Sequence, residues 1–337
     1  MFRTLHNSLI RFALFVALCT IASCANLSRE FVTIEGQALG TFVVVKYDGN
    51  ASEQAVVDMV KKIDQEAKSS MSIFDNNSLL SRINRGETDS LDRHIEFNIE
   101  LAKRFYDLSD GAYDITIKPL TEAGGFADKK SDGSTPNVDS LLQFVGYDKI
   151  AVQDDRLQRA DSRMQIDLNS IAKGYTVDLI AEELEAMGVE NYMVNIGGEI
   201  RCRGLNSRGT EWSIGVETPY DGNFESDSFE KIISKTDCAM ATSGNYRRFY
   251  TTDDGRKVAH TISPKTGYSA ISTLLSATVI APTCAEADAA ATMFMALGSE
   301  GGAVAVAKEL EKEGWLYYFI FADKEGYRVE CSAELND

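Results

Sequence analysis

Apolar and polar positions alternate between two periods along this chain. After Ser52, Val56, Val57, Val60 and Ile63 recur at a three-to-four residue spacing, which predicts a helix capped by Ser52 and running to about Lys68. Before it, the apolar stretch 42–47 following Gly40 predicts a strand. Asp75, Asn76, Asn77 and Ser78 are turn formers that can open a short helix to Ile83. A second long helix is expected over 95–108, ended by Asp110 and Gly111. The polar, Gly-rich segment 124–136 predicts a surface loop. A strand over 164–168 is followed by a helix from Ile171 to Met187, with Gly188 as its C-cap, and by a short buried strand over 192–196. Further strands are expected near 212–216, 231–236, 258–263 and 275–280. An Ala-rich helix begins near Thr283 and reaches Leu297, and another spans 300–312. Segments 315–321 and 327–331 close the pattern as strands. Strands and helices mix without strict alternation, which predicts an α+β fold of mixed sheets and packed helices in two closely associated lobes. No GxGxxG follows a strand, so the fold is not expected to be of the Rossmann type.

The first 23 residues break this pattern. Arg3 and Arg11 precede a short apolar run from Phe12 to Leu18, and Ala22 and Ser23 precede Cys24. The run is shorter than the roughly 20 apolar residues that a membrane span needs. A basic start, a short apolar middle and small residues before a cysteine describe a lipoprotein export signal, with Cys24 acylated as the mature N-terminus. A plain signal peptide is the alternative. The expected organisation is a signal over 1–23, a tether over 24–32 and one catalytic domain over 33–337. The protein is then anchored by lipid to a bacterial membrane and faces the periplasm or cell exterior, the inner membrane being preferred.

Composition narrows the ligands. Formal net charge is −17, from 34 Lys and Arg against 51 Asp and Glu, and the signal would take two of the positive charges away. So acidic a chain has no basic face for nucleic acid. An anionic ligand would need backbone N–H groups, a cation or a few selected Lys and Arg. Six cysteines are present, of which Cys202, Cys238, Cys284 and Cys331 would remain in the mature chain without any CxxC. Export permits disulfides, but the sequence does not choose among three pairings.

Several constellations carry chemistry. Asp288 and Thr292 lie four apart on the Ala-rich helix, so a carboxylate and a hydroxyl share one face as hard oxygen ligands for Mg²⁺. A core helix with Asp288 as a cap is the plain alternative. Asp167 to Asp178 spans a strand-to-helix junction, where open N–H groups and Lys173 favour an anion and Asp167 can accept from a base or ribose. Capping by Asn169 or Ser170 is the competing explanation. Of His94 and His260, the latter is the candidate base, because it stands beside a loop rich in functional groups, while His94 lies in a polar stretch and is expected at the surface. Phe74 and Tyr113 can stack on a flat ring or pack in the core.

Taken together and in order, these blocks resemble the FAD:protein FMN transferase family, flavin transferases formerly described as thiamine-biosynthesis lipoproteins. The resemblance runs through 39–41, 71–84, 111–120, 167–178, 195–199, 242–246, 260–267 and 286–298. It implies Mg²⁺ held by Asp288, Thr292 and a backbone carbonyl at Ser170. It implies FAD contacts at Leu39, Phe74, Ala112, Tyr113, Asp114, Asp167, Lys173 and Ile262, with His260 as catalytic base. The implied reaction transfers the FMN half of FAD to a threonine hydroxyl on a subunit of a membrane respiratory complex and releases AMP. Alternatives are a Mg²⁺-dependent FAD pyrophosphatase and a non-catalytic FAD-binding lipoprotein. Leu39, Ser263 and Gly124 depart from the Met, the Asp or Asn, and the Trp that many family members carry at those places.

Overall fold

The structure, a computed structural model, describes residues 30–124, 137–218, 229–244, 249–251, 257–259, 261–269, 272–298, 300–324 and 326–336. Cys24, His260 and all but the first residue of the loop expected over 124–136 lie outside the described residues.

Strand β1 (Phe31–Ala38) begins inside the stretch expected as a tether and pairs antiparallel with β2 (Thr41–Asp48). On β2 the buried side chains are Val43, Val45 and Tyr47, the period-two pattern of a strand with one face in the core. Helix α1 (Glu53–Met71) starts where expected, with Ser52 accepting from the Ala55 N–H, and buries Val56, Val60 and Ile63. Helix α2 (Leu79–Asn84) is capped by Ser78, and α3 (Arg93–Leu108) by Asp92. Short helices α4 (Lys118–Ala123) and α5 (Val138–Leu142) follow, then a hairpin of β3 (Ile150–Gln153) and β4 (Arg156–Arg159) that the sequence did not foretell.

The strand expected over 164–168 does not form. Among the described residues the segment forms one isolated bridge, between Gln165 and Ile117. The Asn84 side chain takes both backbone groups of Ile166, at 2.7 and 2.8 Å, in place of a neighbouring strand. Helix α6 (Ala172–Ala186) then precedes β5 (Tyr192–Ile196), β6 (Glu199–Arg203), β7 (Trp212–Glu217), β8 (Phe229–Lys235), β9 (Cys238–Gly244), β10 (Phe249–Thr251), β11 (Lys257–Ala259) and β12 (Leu274–Ala281). Helices α7 (Cys284–Leu297) and α8 (Glu300–Glu311) and strands β13 (Leu316–Asp323) and β14 (Gly326–Cys331) complete the chain.

Eight strands form one antiparallel sheet in the order β1-β2-β5-β6-β9-β12-β13-β14. Helices α1 and α6 cover one half of one face, where Val177, Ile180 and Leu184 meet Val43, Val45 and Val194. Helices α7 and α8 cover the other half against β12 and β13, with Phe294, Phe319 and Phe321 fully buried. Each such side chain contributes about 1.5–3 kcal/mol of burial. The hairpin β7–β8 covers the opposite face through Trp212, Ile214 and Ile233. The fold is α+β, as the mixed pattern indicated, and its sheet is antiparallel rather than doubly wound.

Helix α7 is buried on nearly all sides. Ala285, Ala287, Ala289, Ala290 and Ala291 have no exposure. Their small side chains let α6 and the sheet approach α7 closely. That closeness places the polar residues of α7 against the start of α6.

Candidate active site

The centre is built from two helix N-termini that cap one another. A helix leaves its first N–H groups without intrahelical partners. Residue 171 occupies the N-cap of α6, and neither Asn169 nor Ser170 caps it through a side chain. The Gly174 N–H is instead satisfied from α7, by Asp288 Oδ2 at 3.0 Å. In return Asp178 of α6 accepts from the Cys284 N–H at 2.9 Å and the Ala285 N–H at 2.8 Å, the opening amides of α7. Thr283 completes that cap through the Glu286 N–H. Arg201 of β6 anchors Asp178 at 2.9 Å.

Gly174 makes the crossing possible. A Cβ there would sit 2.2 Å from the Cys284 carbonyl oxygen and 2.8 Å from the Asp288 Cβ. No side chain fits, so the Asp288 carboxylate rests directly on the α6 backbone.

The electrostatics follow from burial. Asp288 is 4% exposed. Burial, then the nearby Glu199 charge, hold its carboxyl well above the usual carboxylate range, while Lys173 and the Gly174 N–H oppose the shift. Lys173 Nζ pairs with Glu199 Oε1 at 2.7 Å. Burial pulls the ammonium down, but Glu199 and Asp288 together raise it. Glu199 Oε2 is buried and has no hydrogen-bond partner among the described residues. Two buried carboxylates therefore share one lysine. This local excess of negative charge suits a cation.

The donor set fits a hard cation. Thr292 Oγ1 stands one helical turn beyond Asp288 and touches Ser243 Oγ on β9 at 3.2 Å. Asp288 keeps carboxylate lone pairs beyond the one facing Gly174. Among the described residues no three His, Cys, Asp or Glu side chains cluster as a closed metal cage. A carboxylate and two hydroxyls leave open positions, as Mg²⁺ requires when substrate phosphates complete its shell.

The remaining candidates lie on several elements. Ser170 Oγ meets the Tyr113 hydroxyl at 2.9 Å, which joins the 111–118 segment to the start of α6. Tyr113 itself is buried against Phe105, so its ring is core and only its hydroxyl faces the site. Ala112 is half-buried beside it. Asp167 is half-buried, accepts from the Asn169 N–H at 2.9 Å, and is raised chiefly by burial. Its backbone N–H donates to the Ile115 carbonyl at 2.7 Å, which aligns the two segments. Leu39 occupies the left-handed region, with φ of 49°, in the tight turn between β1 and β2. Its N–H donates to Asp64 Oδ1 at 2.7 Å. Leucine is a costly choice there, and such strain persists where the surroundings impose it. Phe74 is 52% exposed and its ring is open to a ligand.

Two candidates are more structural than expected. Asp114 has both oxygens engaged inside the chain, Oδ1 by the Thr116 N–H and hydroxyl and Oδ2 by the Tyr147 N–H. Ile262 is buried against Leu120 and Val145, and fixes the 261–269 loop on α4 and α5. His94 is not at the surface. It is 6% exposed and its Nδ1 lies 3.0 Å from the Tyr175 hydroxyl, because the face of α3 that carries Ile95 and Ile99 turns it inward. Gly174, Asp178 and Glu199 belong to the centre but were not singled out from the sequence. The signal available was their place inside the blocks 167–178 and 195–199.

Similarity to known proteins follows the same lines. Residues 39–315 match the family model described as the ApbE family. A protein named FAD:protein FMN transferase from Haemophilus influenzae is 34% identical over 331 residues, covering 93% of each chain. One of the same name from Vibrio cholerae is 33% identical over 304 residues, 87% of this chain and 90% of the relative. Among solved structures, the flavin transferase ApbE from Vibrio cholerae superposes with a TM-score of 0.81 at 30% identity, over 91% of this chain and 98% of that one. The apo flavinyl transferase ApbE of Pseudomonas stutzeri gives 0.80 at 26% identity, over 91% and 97%. The fold and the similarity together define an enzyme of the flavin transferase class. The chain belongs to the ApbE family.

Proposed function

We propose that this protein transfers the FMN half of FAD to a threonine hydroxyl of a second protein and releases AMP. The observation that carries the proposal is the crossing of α6 and α7. It puts the Asp288 carboxylate, the Thr292 hydroxyl and the Lys173 ammonium around two helix N-termini, a setting for a pyrophosphate and a divalent cation. The flavin transfer named in its relatives agrees with that chemistry.

Asp288, Thr292 and the Ser170 carbonyl would hold Mg²⁺, which when bound neutralises the pyrophosphate and its leaving group. Lys173, held by Glu199, adds a fixed positive charge on the phosphate side. Phe74 and the Leu39 turn offer apolar surface to a flavin or adenine ring. Asp167 offers a carboxylate to a ribose or base. The threonine oxygen forms a bond to the FMN-side phosphorus, and the bond from that phosphorus to the bridging oxygen breaks. AMP carries away the bridging oxygen. The hydroxyl proton passes to a base, for which His260 is the candidate.

The acceptor belongs to the membrane respiratory complexes in this proposal, and a lipid on Cys24 would hold the enzyme beside them outside the cytoplasm. The test is AMP release followed by chromatography, with FAD and Mg²⁺ present and the acceptor added or withheld. AMP that appears only with acceptor, together with covalent flavin on it, is the expected result. FMN and AMP formed equally without acceptor would make the protein a pyrophosphatase and overturn the proposal.

A further inference from the structure

Cys202 and Cys238 lie directly opposite each other on β6 and β9, the last of only three residue pairs that join these strands. Their sulfurs are 3.9 Å apart. Opposed residues on antiparallel strands have Cα atoms about 4.5 or 5.5 Å apart, and both values lie inside the range that a disulfide spans. Closing the bond brings the sulfurs together by about 2 Å, a side-chain rotation rather than a backbone shift. The other two cysteines among the described residues are poorly placed to compete. Cys331 is on the edge strand β14, three strands from β9 and so about 14 Å away. Cys284 packs with the cluster on the opposite face of the sheet from Cys202.

We infer that Cys202 and Cys238 are a redox-active pair that closes to a cross-strand disulfide and fastens β6 to β9. The inference rests on this register and contact, and it is independent of the flavin chemistry proposed above.

The two thiols differ in a way that sets the order of steps. Cys238 is half-buried, and the contact with Cys202, aided by Lys235, lowers its thiol below the ordinary value. Cys202 is raised by the same contact and then by burial. Cys238 is the more exposed of the two cysteines, so an external disulfide reaches it first and it is the attacking thiolate. It displaces one thiolate from an external disulfide, such as a protein disulfide donor or oxidised glutathione, and forms a mixed disulfide. Cys202 then loses its proton and attacks the Cys238 sulfur, displacing the second thiolate. One external disulfide is reduced to two thiols, and two protein thiols are oxidised to one disulfide.

The bond would act on the active site through the sheet. β6 begins at Glu199, the partner of Lys173, and β9 ends beside Ser243, the neighbour of Thr292. The cysteine pair sits at the other end of the same short ladder. It closes a covalent loop across 36 residues that include the hairpin β7–β8. A loop of that length gains substantially from closure.

The test equilibrates the purified, reduced protein with oxidised glutathione, then alkylates it under denaturing conditions and maps the peptides by mass spectrometry. The expected result is one cross-linked peptide joining Cys202 to Cys238, with Cys284 and Cys331 alkylated. The oxidised protein should melt on the order of 5 °C above the reduced one. Cys202→Ser and Cys238→Ser should each abolish that difference while retaining flavin transfer in the reduced state. Cys202 and Cys238 both alkylated after oxidation, or a bond to a different cysteine, would overturn the inference. Glutathione supplies a defined oxidant, so the outcome depends on the pair and not on the compartment where the protein resides.

Discussion

The Gly174 N–H donates to Asp288 Oδ2 at 3.0 Å, and nothing larger than hydrogen fits on Gly174 between the two helices. The same carboxylate thus caps α6 and supplies the hard oxygen of the proposed cation site. Fold and chemistry meet at one contact.

Gly174→Ala is expected to damage both. The added methyl would stand 2.2 Å from the Cys284 carbonyl oxygen, a backbone atom that cannot swing away. Overpacking of this kind costs about 1–3 kcal/mol or more. The melting temperature should fall by several degrees and flavin transfer should be lost more steeply than folding. Calorimetry and an AMP-release assay read the two effects. Unchanged activity would show that the close approach is not needed.

Asp178 accepts from two N–H groups at the start of α7 and holds Arg201. Asp178→Ala removes the cap and leaves a half-buried guanidinium short of one partner. The expected loss is about 2–4 kcal/mol, read from chemical denaturation. Because α7 carries Asp288 and Thr292, the Mg²⁺ concentration needed for half-maximal activity should rise as well. A stability change without any change in Mg²⁺ demand would separate the cap from the site.

His94 gives a pH dependence with a definite sign. Burial is the main cause that lowers its pKa below the ordinary 6.5. The fold therefore favours the neutral ring. Its contribution is complete above about pH 6.5 and is lost as pH falls through the depressed folded value. Stability of the wild type should decline over that window on acidification, and His94→Gln should flatten this part of the profile. Denaturation midpoints at pH 7 and pH 5 check it. An equal decline in the variant would assign the effect to other groups.

Much of this is legible in the sequence. Helix α1 announces itself by Ser52 and an apolar face, and α7 by Thr283 and its alanines. Asp288 and Thr292 show their shared face by spacing alone. Strands β6 and β9 did not show themselves, for physical reasons. β9 is made of small residues that neighbours bury on both faces, so it has no alternation to detect. β6 carries Arg201, polar in sequence yet only 18% exposed in its side chain because acids on α6 receive it. His94 follows Asp92 and Arg93 and so looks polar by context, although helical geometry turns it toward Tyr175. The reciprocal capping of α6 and α7 joins residues over 100 positions apart, which no local pattern encodes.

The central claim is that Asp288 holds the cation through which FMN is transferred to a protein hydroxyl. The most direct test is the intact mass of a threonine-bearing acceptor fragment after incubation with FAD, Mg²⁺ and either wild-type enzyme or Asp288→Ala, in parallel with a chelator control. Circular dichroism confirms that the variant is folded. The account expects the acceptor to gain the mass of an esterified FMN with wild type only, with transfer reduced at least about 100-fold by the substitution and abolished by the chelator. Equal mass gain with a folded Asp288→Ala variant, or with the chelator present, would contradict it.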